Sequence, residues 1–221
     1  MTTQSVLNTQ AALSTRAVMD ISPVVPVVVV DRLEDAVPLA KALHEGGVNV
    51  IELTLRSDVG LAAIAAIAAE VPDVVIGAGT VLSVKDAEKS IEAGARFLVS
   101  PGASSALLDA AHEWTVPWLP GVSTATEAMN VADAGYTELK FFPAESSGGA
   151  WALGALAGPL PHLTFCPTGG ISTSNAADYL RLSNVACVGG SWLTPRKAVQ
   201  DKDWAALTEL ARAAAGLRVT T

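Results

Sequence analysis

From Pro23 onward two textures alternate along the chain, and this alternation restricts the fold more than any single motif does. Short β-branched runs are each followed by an Ala/Leu-rich stretch with apolar residues at helical spacing. VVPVVVV (24–30) leads to LEDAVPLAKALHEGG (33–47), whose closing glycine pair suits a helix C-terminus. VNVIELTL (48–55) leads to GLAAIAAIAAEV (60–71), and DVVIGAG (73–79) to SVKDAEKSIEAGA (83–95), where Ser83 and Asp86 have the spacing of an N-cap and its acidic partner. RFLVS (96–100), VPWLPG (116–121), TELKFF (137–142), LTFCPTGG (163–170) and VACVGG (185–190) continue the series. The last of them precedes a long predicted helix, 197–216. About eight strand–helix units result, the repeat number of a (β/α)8 TIM barrel. Strands written as continuous Val/Ile/Leu runs suit a parallel sheet covered on both faces. A doubly wound open sheet is the alternative, and no Gly-rich dinucleotide loop follows the first strand to favour it.

The expected organisation is an N-terminal helical segment, 1–22, leading into a single α/β barrel domain, 23–221. Half of the 221 residues are hydrophobic, 16% are charged and the mean hydropathy is +0.40, so a large core can form. The net charge of −8 argues against a nucleic-acid partner, because phosphate-backbone binding needs a basic face. A small anionic substrate stays compatible with it, since local dipoles and single arginines override the global sign. Cys166 and Cys187 have no metal-ligand spacing and form no disulfide framework, which suits reduced core thiols in a cytoplasmic protein. No apolar stretch is long enough to span a membrane, and the N-terminus lacks the charged start and dense apolar centre of a signal peptide.

In a barrel of this kind, chemistry sits at the C-terminal ends of the strands and in the loops after them. Strand alternation puts Val50, Glu52 and Thr54 on one face, with Ile51 and Leu53 on the other. Lys140 and Phe142 likewise share a face, opposite Leu139 and Phe141. Of the six lysines, Lys140 alone falls in a predicted strand. A desolvated amine gives up its proton more readily than a solvated one, and a neutral amine attacks carbonyl carbons. The plainer alternative is a buried ion pair of Lys140 with Glu52 or Glu138. Glu52 suits a general acid/base, or else a partner for Arg56 or Lys140. Arg56 offers a planar fork that matches a carboxylate or phosphate, or else a solvated surface cation.

Glycine pairs follow the last two predicted strands, Gly169–Gly170 and Gly189–Gly190, the latter continued by Ser191. Many barrels bind phosphate at these two turns through backbone amides. Neither turn contains Lys or Arg, and Arg196 is the nearest cation downstream. His44, His112 and His162 are dispersed, and no HExxH, P-loop or GxSxG pattern occurs. Neither a metal nor a cofactor is expected.

The stretches GGVNVIELTLR, IGAGTVL, VSPG, LPGVST, LKFFPAE, FCPTGGIS and VGGSWL, in this order, resemble the bacterial 2-keto-3-deoxy-6-phosphogluconate aldolases, also described as 4-hydroxy-2-oxoglutarate aldolases. The resemblance runs from about Pro23 to Gly216 and implies a class I, metal-free aldolase that assembles as a homotrimer. It places the Schiff base on Lys140 and the acid/base role on Glu52. Arg56 and Thr80 then hold the carboxylate of the pyruvyl moiety, and Pro101 and Phe142 pack around the reacting carbons. Gly169, Gly170 and Ser191 receive the phosphate. Some members of the family carry an arginine on the first strand near the phosphate, and VVPVVVV has none. Two other readings remain: a Schiff-base aldolase for the galactonate epimer or an unphosphorylated keto acid, and a non-catalytic barrel that binds a sugar phosphate.

Overall fold

A computed structural model of the chain describes residues 13–217. Its strands are β1 (Val24–Val28), β2 (Val50–Thr54), β3 (Val75–Gly79), β4 (Leu98–Val99), β5 (Trp118–Leu119), β6 (Gly121–Val122), β7 (Glu138–Phe141), β8 (Thr164–Pro167) and β9 (Val188–Gly190). All of their pairings are parallel, in the orders β5-β4-β3-β2-β1-β9 and β6-β7-β8. Bridges Phe165↔Val185 and Thr168↔Gly189 join the β8 line to the β9 line. On the other side, β5 and β6 are consecutive in the chain, with only Pro120 between them. The result is an α/β fold of parallel strands consistent with a TIM-like barrel.

The helices follow the strands as the alternation predicts: α2 (Ala36–Glu45), α3 (Gly60–Glu70), α4 (Val84–Glu92), α5 (Ser105–Ala111), α6 (Ala125–Asp133), α7 (Gly149–Ala155) and α8 (Ala176–Leu180). Ser83 caps α4 by accepting from the Asp86 amide. Thr124 and Glu127 form a capping box at α6. Gly46 ends α2, and Gly47, at φ 89°, turns the chain into β2. The long helix predicted over 197–216 is two: α9 (Arg196–Gln200) and α10 (Trp204–Ala215). Lys202 takes a φ of 55° between them, and the Asp203 side chain caps α10.

Two apolar clusters divide the strand side chains by parity. Ile51, Leu53, Leu139, Phe141 and Phe165 join the core formed with the outer helices. Val25, Val50, Phe97, Val99, Leu119, Cys166 and Cys187 form a second cluster with Val18 and Met19 of the short helix α1 (Thr15–Met19). Ser14 caps α1 by accepting from the Ala17 amide. Of the segment 1–22 expected to be helical, residues 1–12 lie outside those described, and α1 covers only Thr15–Met19 of the rest. Both cysteines are free and buried. No helix among the described residues is long and apolar enough to cross a membrane.

Candidate active site at the strand C-termini

Lys140 and Glu52 come from strands on opposite parts of the sheet order, 88 residues apart, and meet inside. The Lys140 Nζ donates to Glu52 Oε1 at 3.1 Å, with Oε2 at 3.5 Å, and each side chain is only 3–4% exposed. The neighbour in register with Glu52 on β1 is Val27, and on β3 it is Gly77. Lys140 stands beside Gly121 of β6 and Cys166 of β8. A carboxylate and an amine so far from water cost several kcal/mol each to desolvate, which a single ion pair offsets poorly. A pair retained at such a cost, at the functional end of the strands, points to chemistry more than to stability.

Gly79 makes room for the carboxylate. A Cβ at that position would lie 2.3 Å from Glu52 Oε1 and 2.5 Å from its Cγ. Thr80, the next residue, holds a φ of 61°, a left-handed conformation that costs a threonine on the order of 1–3 kcal/mol. Its hydroxyl accepts from the exposed Arg56 Nε at 3.2 Å. Arg56 lies two residues past the end of β2, after the buried Thr54, whose hydroxyl is tied to the Val28 carbonyl at 2.9 Å. The guanidinium and the strained threonine therefore flank one rim, with the Glu52 carboxyl just inside it.

Across the opening, the Lys140 Nζ lies 5.3 Å from the centroid of the Phe142 ring, within range of a cation–π contact. That ring also packs against Gly169, where a Cβ would be 3.3 Å from it. Pro101 presses its backbone against Gly121, so closely that a Cβ on Gly121 would meet the Pro101 carbonyl at 2.3 Å. Pro101 and Phe142 line one cavity of about 360 Å³ at this end. Ser191 lines a second, of about 590 Å³, with Val27, Val29, Arg32 and Arg196. Neither cavity is lined by Lys140 or Glu52, both of which are buried.

Of the nine residues singled out in the sequence, Lys140, Glu52, Phe142, Pro101, Gly169 and Gly170 form one connected arc, and Arg56 and Thr80 complete it through Gly79. Ser191 stands apart in its own cavity, joined to the arc through Val27. The alternative partner Glu138 is not used by Lys140; it accepts from Thr137. Arg196, the first cation after Gly189–Gly190 in the sequence, is bound to Asp31 at 2.9 Å. Among the described residues no group of three or more His, Cys, Asp or Glu side chains is arranged to hold a metal. Two features escaped sequence reasoning: the left-handed Thr80, and a contact between Tyr179 and Glu145 behind the Gly169–Gly170 turn.

A family model described as KDPG and KHG aldolase matches residues 15–210. The chain belongs to the KDPG and KHG aldolase family. Among its relatives, the KHG/KDPG aldolase of Escherichia coli is 52% identical over 201 residues, covering 91% of this chain and 94% of the other. The crystal structure of the Legionella pneumophila KDPG aldolase superposes with a TM-score of 0.90 at 45% identity, covering 91% of this chain and 98% of that one. That enzyme was captured with pyruvate as a covalent carbinolamine. A Zymomonas mobilis 2-keto-3-deoxy-6-phosphogluconate aldolase with 3-phosphoglycerate gives 0.87 at 44% identity over 91% and 94% of the two chains. Family membership and the buried lysine–carboxylate pair are independent observations, one from whole-chain similarity and one from local geometry.

Proposed function

We propose that this chain is a class I aldolase that cleaves 2-keto-3-deoxy-6-phosphogluconate to pyruvate and glyceraldehyde 3-phosphate through a Schiff base on Lys140. 4-Hydroxy-2-oxoglutarate is the second substrate of the same site. The observation that carries the reading is the buried Lys140 Nζ held 3.1 Å from Glu52 Oε1 at the C-terminal ends of the strands. The fold is read as eight β/α units, with β5 and β6 one strand interrupted at Pro120. The catalytic domain spans 23–221 behind the helical segment 1–22, and the assembly is a homotrimer in the cytoplasm.

Nucleophilic attack requires a neutral amine, and the Glu52 carboxylate is placed to take the proton along the existing hydrogen bond. The amine adds to the keto carbon, and the carbinolamine hydroxyl leaves as water with the proton that Glu52 took, which gives a protonated imine and restores the Glu52 carboxylate. Glu52, directly or through a water, removes the proton of the hydroxyl beyond the scissile bond. That carbon–carbon bond breaks, its electron pair passes into the imine, and the aldehyde departs. Protonation of the remaining enamine and addition of water then release pyruvate and restore the free amine. Covalent catalysis divides one difficult step into easier ones. Arg56 and Thr80 hold the keto-acid carboxylate through charge-assisted bonds, which aligns its carbonyl with the amine. Pro101 and Phe142 bound the reacting carbons, and Gly169, Gly170 and Ser191 receive the phosphate. The conformational cost at Thr80 is understandable if its hydroxyl must stand beside Arg56.

Incubation with pyruvate and borohydride should add the mass of one reduced pyruvyl group to the peptide containing Lys140. Modification at another lysine would overturn the assignment. A chelator such as EDTA should leave the rate of pyruvate release unchanged, because the imine supplies the electron sink. Strong inhibition would favour a metal-dependent reaction instead.

A further inference from the structure

We propose that Tyr179 is a positioning residue for the distal anion site: its hydroxyl holds the Glu145 carboxylate away from the Gly169–Gly170 turn and keeps that turn open to a phosphate. The proposal rests on the assignment of this turn to the phosphate, and it adds what keeps an acidic side chain there from opposing the ligand.

Glu145 cannot avoid the turn, because its backbone is fastened to it. The Ala144 amide donates to the Thr168 carbonyl at 2.8 Å, and the Glu145 amide to the Gly169 carbonyl at 3.1 Å. The segment that follows the lysine strand β7 and the segment that follows β8 are thus laced together. The Glu145 side chain then starts out across Gly170: a Cβ on that glycine would meet Glu145 Cγ at 2.6 Å and Cβ at 2.7 Å. Gly169 and Gly170 hold φ values of 101° and 78°, so both glycines are required by the backbone as well. The stem of a carboxylate thereby lies against the turn that is to meet an anion.

The charge at the end of that stem is turned elsewhere. The Tyr179 hydroxyl donates to Glu145 Oε1, beside Gly149 at the start of α7. Tyr179 is wholly buried, on α8. Burial, with the bond to Glu145 and its charge, pushes the phenol above its usual range, so the hydroxyl stays protonated and remains the donor. A buried ring makes a rigid anchor, whereas the exposed Glu145 has solvent-side freedom to rotate toward the turn once the anchor is gone.

Kinetics on two substrates test this. Tyr179→Phe should raise KM for the phosphorylated substrate by about tenfold, as a like charge moved within several ångströms of the phosphate would. It should leave kcat near its original value and KM for 4-hydroxy-2-oxoglutarate nearly unchanged. Inhibition by inorganic phosphate should weaken in parallel. Adding Glu145→Gln to Tyr179→Phe should restore the phosphorylated-substrate KM, because the rotated amide carries no charge. Equal losses on both substrates, or no restoration by the second change, would overturn the proposal. Should Tyr179→Phe fail to fold, Glu145→Asp retracts the carboxylate from the hydroxyl while keeping its charge, and must show the same split in KM. The starting enzyme cleaving neither substrate would instead sink the aldolase reading, so the two failures are distinguishable.

Discussion

Lys140→Met should release pyruvate more slowly by on the order of 10⁴-fold or more, as expected when the covalent nucleophile of a cooperating group is removed. Methionine keeps the length and apolar bulk of the lysine stem, so the interior beside Gly121 and Cys166 stays filled. It does not replace the partner of Glu52, whose carboxylate is left buried and unpaired. Losing one member of a buried pair typically costs about 3–5 kcal/mol of stability. A thermal midpoint well below that of the unaltered protein is therefore part of the expected result. The double change Lys140→Met with Glu52→Leu separates the two effects: it should recover much of the midpoint and none of the activity. A single variant that kept more than a few percent of the rate would remove Lys140 from the reaction altogether.

Glu52→Gln should slow cleavage by about 10²–10⁴-fold, the usual contribution of a positioned acid/base. Glutamine preserves the shape that Gly79 accommodates and can still accept from the Lys140 Nζ, so the packing should survive even though the pair loses one of its charges and some stability with it. If Glu52 were only a packing and pairing partner, this substitution would lower stability but leave the rate of the folded enzyme nearly unchanged, and that is what makes it informative. The proton transfers on either side of bond cleavage should fall together. Exchange of the pyruvate methyl protons into deuterium oxide, which reads enamine protonation without the aldehyde, should slow alongside turnover. Normal exchange with slow cleavage would assign the exchange step to another group.

Parity made much of this site legible before any coordinates. A period of two placed Glu52 and Lys140 on the faces of their strands opposite Ile51, Leu53, Leu139 and Phe141, and the structure puts those four in the outer core. What the pattern could not convey was pairing length. RFLVS reads as a full strand, yet its regular strand is only Leu98–Val99, although Arg96 and Phe97 still bond the β3 line, and VPWLPG divides at Pro120, which has no amide to give to a ladder. The helical periodicity over 197–216 likewise hid the break at Lys202, because its two halves bury compatible apolar residues, Val199 in one and Leu207, Ala211 and Ala214 in the other. The left-handed Thr80 carries no signal, since threonine seldom takes that conformation. The Tyr179–Glu145 contact joins residues 34 apart through tertiary packing, and no local pattern announces it.

The cluster that Val18 and Met19 form with the inward residues of the strands has a bearing on the order of events. If this packing closes that end of the proposed barrel, the keto acid, the departing aldehyde, the water of hydrolysis and pyruvate all pass through the other end, where Arg56 and Thr80 stand. In the proposed mechanism the covalent bond itself orders this traffic: the three-carbon aldehyde leaves while the other half of the substrate stays tethered to Lys140. Run in reverse, the proposed mechanism loads pyruvate first and admits the aldehyde second, so product-inhibition patterns should reveal a fixed sequence and not a random one.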